Sequence, residues 1–430
     1  MLFKRRHHHK SHGTWRGLLR LLGPGLITGA SDDDPSGIAT YSQAGAQFGF
    51  SMTWVMLFTW PLMAAIQEIS ARIGRVTGQG IAANLREHYP AALLRAIVGL
   101  LLIANFVNLG ADLGAMGDAL RLLIGGPSGL YVVLFAAGCA VLEIYSSYQR
   151  YVTILKWTTL SLFAYVATAL MIEVPWREVA YQTFVPHLSL DKDYLTVIVA
   201  VLGTTISPYL FFWQASEEAE EERIDPAAKP LIEAPEQAAK EIRRIEIDTY
   251  IGMGLSNVVA FFIIVTTAAT LHLNGATDVQ TSEAAAQALR PIAGNFAFYI
   301  FGIGILGTGL LAVPVLAGSS AYALAEAMGW RAGLSRDPAE AKRFYATIVA
   351  GTIVGIGINF INIDPIKALF WSAVINGVVA VPLMVAMMLM ARQPQVMGTF
   401  TVPGWLWGLG WLSTAAMAAA VVVMFATWGG

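Results

Sequence analysis

Runs of about 20 mainly apolar residues are long enough to cross a bilayer. The chain contains eleven such segments, at 17–48, 51–71, 96–120, 129–147, 152–172, 195–216, 250–271, 294–324, 345–361, 366–391 and 404–427. Each is predicted to be a helix, because a segment in lipid has to satisfy its own backbone polar groups. The first is too long for one straight helix, and Asp34-Pro35-Ser36-Gly37 interrupts it. Its basic start (Lys4, Arg5, Arg6) has the look of a secretion signal. Three aspartates cut the apolar run that follows, so no cleavable signal is expected.

Composition agrees with this pattern. Of 430 residues 56% are hydrophobic and only 13% charged, about half the charged share of a soluble domain. An ordinary globular enzyme and a disordered chain are excluded. A formal net charge of -2 leaves no basic excess for nucleic acid. Cys139 is the single cysteine, which rules out an internal disulfide and a cysteine-rich metal site. Twelve Trp and 41 Gly suit interfacial anchors and close helix contacts.

Lys and Arg set the orientation. With the N-terminus in the cytoplasm, 22 of the 27 basic residues fall on the inner side and five (Arg121, Arg177, Lys192, Arg290, Lys367) on the outer side. The acidic connection at 217–247 is then cytoplasmic. It is expected to be a solvated helical extension and linker, with a cation-concentrating negative funnel as the alternative. His7, His8 and His9 are assigned to the tail rather than to a metal site.

Two segments carry backbone breaks, and a broken helix is tolerated in lipid only where it is buried in protein or lines a cavity. The first break runs from Ile27 through Asp32-Asp33-Asp34-Pro35-Ser36-Gly37 to Ala39, the second from Leu202 through Gly203-Thr204-Thr205-Ile206-Ser207-Pro208 to Leu210. Pro35 and Pro208 each remove a donor and are expected to clash with the preceding turn. Gly37 and Gly203 are expected to permit irregular dihedrals beside them. The breaks open two five-helix sets, and because five is odd the second set enters from the opposite face. Interrupted helices at matching positions of an inverted repeat point to the central site of a transporter.

Asp34, against Pro35, is the expected principal ligand of a cation. Consecutive helical residues point about 100° apart, so Asp32 and Asp33 are expected at a vestibule, as caps of the half-helix, or as further ligands. The other donors are carbonyls near Gly203 and Thr204 and the hydroxyls of Thr204, Thr205 and Ser207. Neither break holds Cys, Met or His. Such hard oxygen sets favour Mg, Ca or Mn. Mg2+ keeps several waters and needs only one or two carboxylates, so partly hydrated Mg2+ is the expected substrate.

The stretch from Gly23 to Ala82 resembles the opening of the Nramp divalent-metal transporters. Asp34-Pro35-Ser36-Gly37 stands where that family has Asp-Pro-Gly-Asn, and Ala44 to Gly49 and Ser70 to Gly78 follow its next two motifs. The likeness continues at IDTYIGMGLSNVV, residues 247–259. Departures are informative: Gly37 replaces an Asn, and Ser207-Pro208-Tyr209 replaces Met-Pro-His. Gln214 replaces a second His. Of two helix 3 acids linked to proton transfer, one matches Asp112 and the other falls at Ala115. The Gln of helix 10 has no clear counterpart, with Asn376 nearby. This pattern resembles the Nramp-related magnesium transporters, which carry Mg2+ and also Mn2+. The resemblance implies a LeuT-like fold and transport without proton coupling. It also implies Asp34 as primary ligand, a carbonyl from Thr204, Gly37 and Ser207 as the positions that widen the cavity, and Thr205 as a neighbour. Loss of the Met and imidazoles agrees, removing soft donors and groups that change charge near neutral pH.

Other polar residues within the spans have structural expectations. Glu68 should pair with Arg72 at i,i+4 spacing and Glu143 with Arg150. Asp112, Asn105, Asn108, Asn257 and Asn376 should hydrogen-bond between helices, with a residual proton relay as the alternative for Asp112. The expectation is thus an all-α membrane protein of eleven transmembrane helices in the plasma membrane, carrying Mg2+ and Mn2+ passively by alternating access. Its parts are a basic tail (1–16), a first repeat (17–172), an inverted second repeat (195–391) and an additional helix (404–427). No GxxxxGK[ST] motif marks a pump, and no nucleophile–base pair marks an enzyme. No cofactor, nucleic acid or obligate protein partner is expected beyond the ion and the lipid. The alternatives are a proton-coupled Mn2+/Fe2+ importer of the parent type and a sodium-coupled amino-acid transporter.

Overall fold

The computed structural model describes residues 28–29, 31–145, 163–279, 282–290, 294, 297–361 and 364–428. The basic tail with His7 to His9, the opening of the first segment, Arg150 and the start of the fifth segment lie outside the described residues. Helix α1 (Pro35–Phe48) runs through a 3-10 turn (Gly49–Met52) into α2 (Thr53–Thr77). There follow α3 (Ile81–His88), α4 (Ala91–Ile124), α5 (Ser128–Tyr145), α6 (Phe163–Met171), α7 (Trp176–Phe184), α8 (Lys192–Thr205) and α9 (Pro208–Ile224). The second half holds α10 (Ala238–Thr270), α11 (Ser282–Gln287), α12 (Ala297–Met328), α13 (Lys342–Ile358), α14 (Pro365–Met390), α15 (Pro394–Met397) and α16 (Gly404–Trp428).

Among the described residues nine helical stretches are long and apolar enough to cross a membrane. One of them, Pro35–Thr77, joins the first expected segment to the second, and another, Lys192–Ile224, contains the break between α8 and α9. The fifth segment is described only through α6. Helix starts follow local chemistry. Asp191 caps α8, accepting from the backbone N–H of Asp193 at 3.0 Å and Tyr194 at 3.3 Å. Asp364 caps α14, with Pro365 in the first turn. Helix α2 ends on Gly78, whose φ of 65° suits a residue without Cβ.

The long connection is a helical extension and an exposed linker as expected, but the acids of its helical part are not solvated. Helix α9 continues to Ile224, and Glu217, Glu218, Glu220 and Glu222 are buried along it. Glu222 pairs with Arg75 at 2.7 Å and Glu218 with Arg244. Glu220 accepts from the Tyr322 hydroxyl and from the N–H groups of Leu334 (3.1 Å) and Ser335 (2.5 Å). These four acids are therefore not solvated, because basic groups and backbone donors from distant segments take them, while Asp225, Glu233 and Glu236 of the linker that follows are exposed as expected. Glu68 does pair with Arg72, at 2.5 Å, and Glu246 joins at 2.8 Å.

Helix α12 lies along α4, α8 along α14, α9 along α2, and α10 against α1 and α2. Interhelical amides stitch these pairs, as expected in lipid. Asn105 donates to Ser320 Oγ at 3.0 Å and Asn257 to Met56 O at 2.9 Å. Asp112 and Asn376 depart from that expectation. Both are buried, and among the described residues their side-chain polar atoms have no hydrogen-bond partner.

Candidate metal-binding site

Two chain breaks meet at the centre of this packing. Residues 31–32 are helical, after which Asp34 turns extended (φ -69°, ψ 170°) and caps α1, with Pro35 in its first turn. On the other segment α8 stops at Thr205, Ser207 is extended (φ -77°, ψ 129°), and Pro208 opens α9. The prolines therefore begin half-helices, where a missing N–H is harmless. They do not clash inside a continuous helix as expected.

The two glycines correct another expectation. Neither Gly37 nor Gly203 has positive φ, and both are helical. What they supply is room. A Cβ on Gly37 would lie 3.2 Å from Tyr41 Cε2, 3.3 Å from Thr204 Oγ1 and 3.4 Å from Asp32 O. A Cβ on Gly203 would lie 2.1 Å from Ala373 O and 2.5 Å from Gly377 N, so the backbones of α8 and α14 touch there.

Asp34 is 1% exposed, and four donors converge on its carboxylate. Oδ1 accepts from Ser36 Oγ (2.6 Å) and Gly37 N (2.7 Å), both in its own helix. Oδ2 accepts from Asn108 Nδ2 on α4 (3.1 Å) and from the Tyr209 hydroxyl on α9 (3.3 Å), which also reaches Ser31 O at 3.0 Å. The carboxylate also sits at the positive end of the α1 dipole. Asp32 and Asp33 face elsewhere. The Ser256 hydroxyl on α10 lies 2.6 Å from Asp32 Oδ2 and 3.1 Å from Asp33 Oδ1 and donates to one of them at a time. At 0% and 6% exposure neither aspartate stands in a vestibule or caps α1.

The structure thus brings Asp34, Gly37 and Thr204 together. Ser207 covers the carbonyls freed by the second break, its hydroxyl reaching Gly203 O at 2.9 Å and Thr204 O at 2.8 Å. Thr205 uses its hydroxyl within α8, donating to Val201 O at 2.9 Å. Among the described residues no group of three or more His, Cys, Asp or Glu is arranged to hold a metal. The local donors are one carboxylate and uncharged oxygens. Sequence reading missed Asn108 as part of this site. The signal was its place one turn before Asp112, since residues four apart share a helix face. A cavity of about 400 Å3 is bounded by Ala39 and Gln43 of α1, Lys192 and Thr196 of α8, and Lys367 and Phe370 of α14, and none of residues 31–37 and 203–208 at the two breaks lines it.

Comparison with known proteins places this arrangement. A family model described as "Natural resistance-associated macrophage protein-like" matches residues 25–427. The divalent metal cation transporter MntH of Acidiphilium cryptum is 26% identical over 421 residues, covering 95% of this chain and 89% of the relative. Among solved structures the manganese transporter of Eremococcus coleocola superimposes with a TM-score of 0.75 at 18% identity, covering 98% of this chain and 90% of that one. MhsT in complex with L-phenylalanine gives 0.62 at 11% identity, covering 93% and 98%. These likenesses show a shared LeuT-like fold. Family members are multi-pass membrane transporters and not enzymes. With a match across nearly its whole length, the chain belongs to the Nramp family.

Proposed function

We propose that this protein carries a hard divalent cation across the plasma membrane by alternating access, with Asp34 as principal ligand. The observation that carries the reading is the buried Asp34 carboxylate where two broken helices meet. Thr204 adds its carbonyl once the Ser207 hydroxyl swings away, Gly37 and Ser207 leave space for retained water, and Thr205 is a neighbour. The repeats 17–172 and 195–391 move about this point, with 404–427 peripheral and 1–16 a cytoplasmic tail. That orientation rests on the excess of basic residues on one side.

The curated relative is named for divalent metal cations and the solved one for manganese, which supports Mn2+, and oxygen donors suit it. In this respect the parent type, a proton-coupled Mn2+ importer, has better support than the magnesium-specific, uncoupled reading of the sequence. A buried Asp112, with no hydrogen bond to either carboxyl oxygen among the described residues, also leaves the parent type a titratable group. Mg2+ remains a second reading on one observation: neither break holds Cys, Met or His. Entry down an inside-negative potential gains about 2.3 kcal/mol per charge per 100 mV, which suffices without a proton. An amino-acid substrate has only the shared fold in its favour.

Flux into proteoliposomes carrying an internal pH dye tests these points together. The expected result is Mn2+ entry that Asp34→Ala abolishes. Acidification with uptake assigns proton coupling, and Mg2+ entry at constant pH assigns the second reading. Undiminished Mn2+ entry in Asp34→Ala refutes the proposal.

A further inference from the structure

Both oxygens of the Asp34 carboxylate are hydrogen-bonded before any ion arrives. Its Oδ1 donors, Ser36 and Gly37, belong to α1 and move with it. At Oδ2 the Asn108 N–H comes from another helix and has to yield, because a cation and an N–H cannot share the same lone pair. The single proton of the Tyr209 hydroxyl already has a nearer acceptor in Ser31 O. Asn108 is fully buried on α4, and its Oδ1 accepts from Ser372 Oγ of α14 at 2.7 Å. The Ser372 hydroxyl has a second acceptor at the same 2.7 Å, Leu369 O. A hydroxyl carries one proton, so it serves one of the two at a time.

That spare acceptor allows the amide to turn over without losing a bond. With Nδ2 donating to Ser372 Oγ, the Ser372 O–H turns to donate to Leu369 O, and Asn108 Oδ1 faces the Asp34 carboxylate. Two oxygens then point at one position, an arrangement stable only with a cation between them. We propose that Asn108 is a further oxygen ligand of the transported ion, presented from α4 by rotation of its amide and held in either orientation by Ser372. The proposal rests on Asp34 being the ligand. An amide oxygen is a hard donor, suited to Mn2+ or Mg2+. Occupancy would thereby exchange an N–H tether between α4 and α1 for a shared ion.

Mn2+ uptake kinetics of the full chain in proteoliposomes test this with Asp34→Ala, Asn108→Ala, Asn108→Asp and Ser372→Ala. Asn108→Ala is expected to raise KM by about 10- to 100-fold, the range for lost support at a metal site, with Vmax little changed. Asn108→Asp keeps an oxygen and adds charge, so its KM is expected at or below wild type. A merely structural donor predicts the reverse, since a second carboxylate would oppose Asp34. Ser372→Ala is expected to raise KM by less than Asn108→Ala. A wild-type KM in Asn108→Ala overturns the inference. If Asp34→Ala is dead in that experiment, the reading of the site survives, and if it is active both fall. Should Asn108→Ala not assemble, Asn108→Asp decides alone, and a KM raised more than about tenfold there, the loss of one such ligand, overturns the inference.

Discussion

Substitution of Gly203 by alanine places one methyl group where two helices touch. Its Cβ would stand 2.1 Å from Ala373 O and 2.5 Å from Gly377 N, against the 3.4 Å at which ordinary contact begins. The obstructing atoms are backbone, so no rotamer change relieves the clash. Helices α8 and α14 have to part by roughly 1 Å, given the steep wall of the contact potential. Overpacking of this kind costs about 1–3 kcal/mol. The better helix propensity of alanine offsets up to about 1 kcal/mol, leaving a net loss of about 0–2 kcal/mol. The larger effect falls on function. Thr204 is the next residue, and a misplacement of about 1 Å in a positioned group can lower a rate about a hundredfold. The assay is initial Mn2+ uptake normalised to incorporated protein, together with thermal unfolding in detergent. Gly138→Ala in α5 and Gly357→Ala in α13, with nothing among the described residues within 4 Å of the added carbon, serve as controls and are expected at wild-type rates. Wild-type uptake and stability in Gly203→Ala would mean that the α8–α14 contact does not position the break.

Two further substitutions probe the same network. Ser207→Ala frees Gly203 O and Thr204 O from the hydroxyl that covers them. A neutral hydrogen bond nets about 0.5–1.5 kcal/mol, so KM for Mn2+ should fall about 2- to 10-fold, and a rise would count against Thr204 O as a ligand. Arg75→Ala strands Glu222, its partner at 2.7 Å with both side chains buried, and removes a 2.7 Å bond to Lys229 O. Breaking such a pair costs about 3–5 kcal/mol, read as a drop in unfolding temperature. Arg75→Lys should not restore it, because the guanidinium also reaches Gln237 at 3.1 Å and one ammonium cannot span all three acceptors.

Hydropathy, proline and acidic residues are local signals, and whatever depends on them could be read along the chain. The spans follow from the energetics of backbone in lipid. The break at Asp34-Pro35 follows because a carboxylate that caps the next half-helix and a proline that starts it stand side by side. The break before Pro208 has the same proline signal. Asp34 stood out for the same reason, as did the absence of sulfur and imidazole donors.

Everything that needs a partner far along the chain was decided by packing. Asp34 lies 74 residues from Asn108 and 175 from Tyr209, and no periodicity links them. The acids of α9 looked solvated because their local sequence is polar, yet Arg75 and Arg244 arrive from other segments to take them. Gly203 looked like a licence for irregular dihedrals, and only the passage of α14 across it reveals that the missing side chain makes room for a second backbone. Burial in lipid and backbone breaks are thermodynamic properties of a segment. Hydrogen-bond pairing and close contact are properties of the assembled helices, and they exist only once the bundle has formed.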